Sequence, residues 1–251
     1  TRVYLKDADK VNYNGTDCYS FKCRVNAAEM TKKVNAVLHC NDWTGQTYSY
    51  SVYDYASKIL AEPESSEYKS SAPLIKAMLN YGGYAQTYFN EKTDALANKG
   101  LYNKTNDPVL TTNTTVSKDY NYAVFNNNIG VSFIGGSLVL NSGTDLKLYY
   151  SMDDQNMANN INVSVNGQNV APEYDGNIMC VRVLDISISS LGDTYNVKIS
   201  VNGKELNQKY SAMTYMYKAL NSQNSNTKLN NVVKALYLYN EAAKQYSMEI
   251  E

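Results

Sequence analysis

The stretch Tyr50-Ser-Val-Tyr-Asp-Tyr-Ala-Ser-Lys-Ile-Leu60 returns 160 positions later as Tyr210-Ser-Ala-Met-Thr-Tyr-Met-Tyr-Lys-Ala-Leu220. The two copies share the first Tyr, the Ser, a later Tyr, the Lys and the final Leu at the same relative positions. A match at so long a period indicates an internal repeat, and each copy is typical of a short helix. The chain is therefore predicted to contain one unit twice.

A longer helical stretch follows each copy. Its apolar residues are spaced by 4, 3, 4 and 3 positions, as Leu74, Met78, Tyr81, Ala85 and Tyr88 in the first copy and as Val232, Leu236, Tyr239, Ala243 and Tyr246 in the second. This spacing puts them on one face of a helix, which we expect to pack against the unit's own sheet. Gly82 and Gly83 each cost such a helix about 1 kcal/mol relative to Ala, so they predict a close approach by another element.

Upstream of each helical pair the apolar period changes to two, which is typical of half-buried strands. The alternating sets are Tyr19 to Val25 and Val34 to Cys40 in the first copy, and Met179 to Val183 and Tyr195 to Val201 in the second. The second copy adds strand candidates at 131–134, 137–140, 146–152 and 161–165. It therefore contains enough strands for a small antiparallel sandwich.

These patterns predict an α+β protein of two tandem units, each an antiparallel sheet or small immunoglobulin-like sandwich followed by a helical hairpin. The boundary falls in the Thr- and Asn-rich segment around Pro108, giving units at 1–105 and 106–251. Because the first unit opens almost directly with its final strands, we expect the chain to begin partway through a longer protein.

Charge and composition exclude several partners. With 23 basic and 24 acidic side chains the net charge is −1, so nothing builds the positive field that nucleic acid requires. No apolar run approaches the roughly 18 residues of a membrane span, so membrane insertion is not expected. The 24 tyrosines and a low charged fraction of 19% favour hydrogen bonding to neutral ligands.

Metal, cofactor and catalytic sites are not expected. The cysteines, Cys18, Cys23, Cys40 and Cys180, show no C-x-x-C spacing, and His39 is the only histidine. We interpret Cys23 and Cys40 as small apolar core residues, and a disulfide between them stays open. Oxygen-rich residues at 7–17 leave calcium binding open too, with ordinary turn chemistry as the simpler interpretation.

Trp43 is the sharpest candidate for a binding residue. It is the only tryptophan and lies in Asn41-Asp-Trp-Thr-Gly45, which reads as an enlarged hairpin tip where the second copy has Asn202-Gly203. An exposed indole offers a large contact area to the C–H face of a sugar ring. The candidate ligand-binding residues are Trp43, Asn41, Asp42, Thr44 and Tyr48; the alternative is an indole folded back onto the sheet.

Several stretches together resemble a poorly characterised module of extracellular proteins from gut and rumen Clostridia, of the Ruminococcus type. They are Ala27-Ala-Glu-Met30, Tyr50-Ser-Val-Tyr-Asp-Tyr-Ala56, 76–89 with 93–98, and Leu236-Tyr-Leu-Tyr-Asn-Glu-Ala-Ala243. The resemblance implies a cell surface or secreted complex, flanking dockerin or wall-anchoring modules, and a role near polysaccharides. It supplies no catalytic residues.

Two functions follow from these observations. The first is a non-catalytic extracellular surface module that binds or adheres to a polysaccharide. The second is a structural spacer or scaffold module without a small ligand. Exposure of Trp43 would favour the first function, and burial of Trp43 the second.

Overall fold

The computed structural model describes residues 2–123, 129–140, 143–223 and 226–250 and shows an α+β protein. Its helices are α1 (Val52–Ala61), α2 (Ala72–Phe89), α3 (Pro108–Thr111), α4 (Ala212–Leu220) and α5 (Thr227–Ile250). Its strands are β1 (Asp9–Tyr13), β2 (Thr16–Ser20), β3 (Val34–Cys40), β4 (Trp43–Tyr50), β5 (Val131–Leu140), β6 (Thr144–Met152), β7 (Ile161–Val165), β8 (Gln168–Val170), β9 (Glu173–Asp175), β10 (Ile178–Ile186), β11 (Tyr195–Val201) and β12 (Lys204–Tyr210). All observed strand pairs are antiparallel.

The first part of the chain forms two separate hairpins, β1–β2 and β3–β4. Asn14 and Gly15 make the β1–β2 turn with positive φ angles, which Asn and Gly tolerate best. The strand predicted up to Val25 ends at Ser20. Both hairpins are largely exposed, so neither builds a core of its own.

The second part contains two four-stranded sheets with the orders β5-β6-β10-β9 and β12-β11-β7-β8. Alternate residues are buried all along β6, from Val197 onward in β11 and from Leu206 onward in β12, as the alternation predicts. The buried rows of both sheets belong to one hydrophobic cluster. Phe133 of the first sheet contacts Tyr210 of the second, with ring centroids 5.6 Å apart.

Both predicted helical pairs form, and α1 and α4 both begin with a capping box. The Ser51 and Asp54 side chains each accept a hydrogen bond from the other residue's backbone N–H, and Ser211 and Thr214 repeat this capping box. The prediction that each stripe packs on its own sheet was wrong for α2, whereas Val232 and Leu236 of α5 do lie beside Leu138 and Leu140 of β5. The helices α2 and α5 also pack against each other, with Tyr81 and Tyr239 stacked at 5.8 Å.

The two glycines of α2 explain how closely its neighbours approach. A Cβ at Gly82 would lie 2.6 Å from the Met30 sulfur, and one at Gly83 would lie 2.0 Å from the Asn98 side-chain oxygen. Real Cβ atoms do not approach other atoms so closely, so the predicted close approach is confirmed. In α5, Asn240 instead donates a hydrogen bond to the carbonyl oxygen of Ile188.

The first and second parts of the chain also contact each other through an ion pair. Arg24 donates two hydrogen bonds to the Asp185 carboxylate, and these residues lie 161 positions apart, as do Met30 and Leu191. The N–H of Tyr53 donates to the Met30 carbonyl oxygen, and the N–H of Met213 donates to that of Leu191. The Tyr81–Tyr239 stack and the Arg24–Asp185 ion pair each join the first part of the chain to the second.

Candidate functional site

The β3–β4 hairpin carries all five predicted binding residues, but its tip is not enlarged. Cys40 pairs directly with Trp43, which leaves a two-residue turn of Asn41 and Asp42. The second copy turns on two residues as well, between Val201 and Lys204. The prediction of a lengthened loop was therefore wrong. The extra residue of the first copy sits inside β4, where the register shifts opposite Leu38.

Trp43 is the first residue of β4, and its ring lies along that strand. A Cβ at Gly45 would come within 2.7 Å of the indole, so the ring covers the glycine two residues ahead on the same face. Despite this contact, 57% of Trp43 is exposed. The structure therefore combines both alternatives, because the indole packs on Gly45 with one side and faces solvent with the other.

The remaining candidates divide between the two faces of the hairpin and its turn. Thr44 lies on the opposite face, where its hydroxyl is 3.0 Å from Nδ1 of His39. Tyr48 pairs with Ala36 and shares the face of Trp43. Asn41 and Asp42 form the turn at one end of that face, Asn41 with φ of 50°. The structure thus places Trp43 and Tyr48 on one face of the hairpin and Thr44 on the other.

We define the hairpin aromatic face as the side chains that share the Trp43 side of the hairpin. Its members are Val34, Ala36, Leu38, Cys40, Trp43, Tyr48 and Tyr50. Tyr48 and Tyr50 are 63% and 52% exposed. Trp43 and Tyr48 lie opposite residues four positions apart on β3, which corresponds to roughly 13 Å along the strand.

Tyr50 was missed as a candidate because its match to Tyr210 assigned it to the repeated helical segment. The structure shows that it is the last residue of β4. The period of two from Tyr48 to Tyr50 was the signal that could have identified it. None of the seven side chains of the hairpin aromatic face is charged, so the face suits a neutral ligand with apolar surface.

The cysteines do not serve as core residues in the first copy. Cys23 and Cys40 are both exposed, and both are free in the structure, as are Cys18 and Cys180. The interpretation of Cys23 and Cys40 as core residues was therefore wrong. Cys23 lies beyond the end of β2 at Ser20, and the β3 face that carries Cys40 has no opposing sheet among the residues that the structure describes.

The oxygen-rich segment at 7–17 contains β1, the turn at Asn14 and Gly15, and the start of β2. The side-chain oxygen of Asn12 accepts from the N–H of Gly15, and its amide nitrogen donates to Asp17. Within the described ranges no group of three or more His, Cys, Asp or Glu side chains is placed to hold a metal ion. No helix in those ranges is both long and apolar enough to span a membrane.

Comparison with family models, with curated proteins and with solved structures finds no significant match to this chain. An uncharged face with three exposed aromatic rings can bind ligands by ring stacking and apolar contact. The turn residues Asn41 and Asp42 can add hydrogen bonds at one end.

Proposed function

We propose that this chain is a non-catalytic extracellular surface module that binds a neutral polysaccharide through the hairpin aromatic face. The observation that carries the proposal is the exposure of Trp43 beside the exposed Tyr48 and Tyr50 on one side of β4. A row of rings along an extended strand suits an extended ligand, because successive sugar rings can each contact an aromatic surface.

The absence of charge on this face supports a neutral sugar chain. Sugar rings present C–H-rich faces to aromatic rings and hydroxyl groups at their edges. Asn41 and Asp42 at the turn, and the hydroxyls of Tyr48 and Tyr50, supply hydrogen-bonding groups beside the apolar contact. The location on a cell surface or in a secreted complex, with flanking modules, rests on the resemblance described above.

The proposal also covers how the chain is divided into units. We infer two tandem units of one immunoglobulin-like design, each ending in a helical hairpin. The recurring capping boxes and the matching bonds from Tyr53 to Met30 and from Met213 to Leu191 support this inference. In the first unit only the β1–β2 and β3–β4 hairpins stand where the second has two four-stranded sheets.

The second candidate function is a structural spacer or scaffold module that binds no small ligand. One observation favours it. Ile199 and Val201 of β11 are buried, and they occupy the positions that match the exposed Leu38 and Cys40 of β3. A face of that composition also suits packing against another protein layer. The two functions differ in whether polysaccharide binding depends on Trp43.

Retention on insoluble neutral polysaccharides, cellulose and xylan, tests the proposal. We expect the wild-type chain to be retained and Trp43→Ala to reduce the affinity about tenfold or more, because it removes the largest ring of the face. The matched control is Tyr13→Ala, which removes an exposed ring from the β1–β2 hairpin and should leave retention unchanged. A glycan array extends the search to soluble sugars.

Absence of retention on every polysaccharide and array sugar would overturn the binding function and favour the spacer. Equal losses for Trp43→Ala and Tyr13→Ala would contradict the assignment to the hairpin aromatic face. Circular dichroism of each variant separates loss of binding from loss of fold.

A further inference from the structure

A cavity of about 400 Å³ opens between β5 and α4 in the second half of the chain. Its walls include Phe133 and Gly136 of β5, Tyr210 at the end of β12, and Tyr215 and Lys218 of α4. This volume lies within the range of pockets that hold small organic ligands. None of these residues belongs to the hairpin aromatic face.

The strand β5 is shaped to form one wall of this cavity. Its register against β6 shifts between Phe133 and Gly135, which is a bulge that re-aims the strand. A Cβ at Gly136 would lie 2.8 Å from the Tyr210 hydroxyl oxygen, so a glycine is needed for Tyr210 to reach this position. The bulge and the glycine together bring β5 over the start of α4.

The ammonium group of Lys218 is held at this cavity without a negative partner. Its nitrogen lies 5.7 Å from the ring centroid of Phe133 and 5.4 Å from that of Tyr210. The described residues place no carboxylate within 4.0 Å of it. Burial raises the pKa of Tyr210 to about 12, so this neighbour is a neutral phenol rather than a phenolate at neutral pH.

Desolvation destabilises the charged form of Lys218, and a bound anion would stabilise that form again. Partial burial lowers the pKa of its ammonium group, because the charge has lost water without gaining a counter-ion. A charge in this condition forms stronger ion pairs than one in open solvent. The rings of Phe133 and Tyr210 compensate only in part, since they are weaker partners than a carboxylate.

The first copy shows that the same residue types do not make this cavity by themselves. Tyr50, Tyr55 and Lys58 match Tyr210, Tyr215 and Lys218 in sequence, yet all three are exposed. In the second copy, β5 lies beside the matching residues and forms one wall of the cavity that they line. Lys58 therefore serves as an internal control for Lys218.

We propose that the cavity between β5 and α4 binds a small organic carboxylate, whose anionic group pairs with Lys218 and whose ring packs beside Phe133 and Tyr215. An acidic sugar and an aromatic acid share this chemistry. The proposal is independent of polysaccharide binding at the hairpin aromatic face, and Trp43→Ala should leave it unaffected.

Titrations of the full chain followed by NMR of the lysine side chains test the site. The probes are glucuronate and benzoate, with glucose and benzyl alcohol as their uncharged counterparts. We expect at least one acid to shift the Lys218 signals to saturation, and neither uncharged compound to do so. Binding of glucuronate alone would identify an acidic sugar, and binding of benzoate alone an aromatic acid; both results support the proposal.

Variants then assign the charge that binds. Lys218→Met should weaken binding of the active acid about tenfold or more, Lys218→Arg should retain most of it, and Lys58→Met should leave it unchanged. Failure of both acids to bind would overturn the proposal. So would equal binding of the uncharged compounds, or equal losses for Lys58→Met and Lys218→Met. The wild-type comparison of acids with uncharged probes stays decisive even if Lys218→Met does not fold.

Discussion

The β3–β4 hairpin and its match β11–β12 have the same local design and opposite environments. Each turns on two residues, and each leads through a tyrosine into a helix that begins with a capping box. Yet Leu38 is 60% exposed, whereas Ile199 at the matching position is fully buried. The difference is a second layer of strands, which faces β11–β12 and is missing over β3–β4 in the described chain. Alternation thus specifies which side chains share a face, while the opposing layer decides whether the face is core or surface.

The largest expected effect comes from truncating the two matched positions. We expect Ile199→Ala to lower the free energy of unfolding by about 2–5 kcal/mol, because it leaves a cavity in the core. Leu38→Ala should change it by less than about 0.5 kcal/mol, since an exposed side chain loses few contacts. Urea unfolding followed by circular dichroism measures both variants.

If Leu38→Ala lowered the free energy of unfolding as much as Ile199→Ala does, the two positions would not differ in burial as the structure shows. Such a result would show that the hairpin aromatic face is covered in solution, for instance by self-association. Measuring both variants over a tenfold range of protein concentration shows whether self-association covers the face, because stability gained through association depends on concentration.

The helices α2 and α5 differ in how closely another element approaches them at the matching positions Gly83 and Glu241. We expect Gly83→Ala to destabilise the protein by about 1–3 kcal/mol, because the new methyl group overlaps Asn98 and displaces its hydrogen bond to Asn80. Helix propensity alone would predict a gain of about 1 kcal/mol. Glu241→Ala, at the matching exposed position of α5, should stay within about 0.5 kcal/mol. Stabilisation by Gly83→Ala would contradict the close approach to Asn98.

The smallest expected effect concerns the ion pair between Arg24 and Asp185. Both side chains are mostly exposed, so solvent and salt screen their attraction. We expect Arg24→Ala to leave the thermal unfolding midpoint within experimental error of the wild type, at low and at high salt. A clear drop that disappears at high salt would show that this ion pair helps hold the two copies together.

The helical pairs and most strands of the second half could be predicted because they depend on short-range periodicity. The stripe on α2 forms at a spacing that neighbouring residues already define, and Gly82 and Gly83 correctly indicated close packing. The partner of that stripe could not be predicted in the same way. Tyr81 stacks on Tyr239, a contact between residues far apart in sequence that no local pattern encodes.

The candidate site was predicted in part. Trp43 and Tyr48 do share an exposed face, but the enlarged tip was wrong because one extra residue was assigned to the turn instead of to a bulge in β4. A sequence shows that a residue is inserted, whereas strand pairing shows where the insertion is absorbed. The cavity at Lys218 was missed because β5 reaches it across the fold.

The sequence by itself determined the recurrence of one helical segment 160 positions apart, the positions of the helices, and which side chains share one face of each strand. These features depend on spacings of two to four residues and on capping groups close by in the chain. Only the tertiary structure decided that Ile199 is core and Leu38 is surface, and that Lys218 borders a cavity while Lys58 faces solvent. The physical reason is that burial is a property of two surfaces, and the second surface comes from a distant part of the chain.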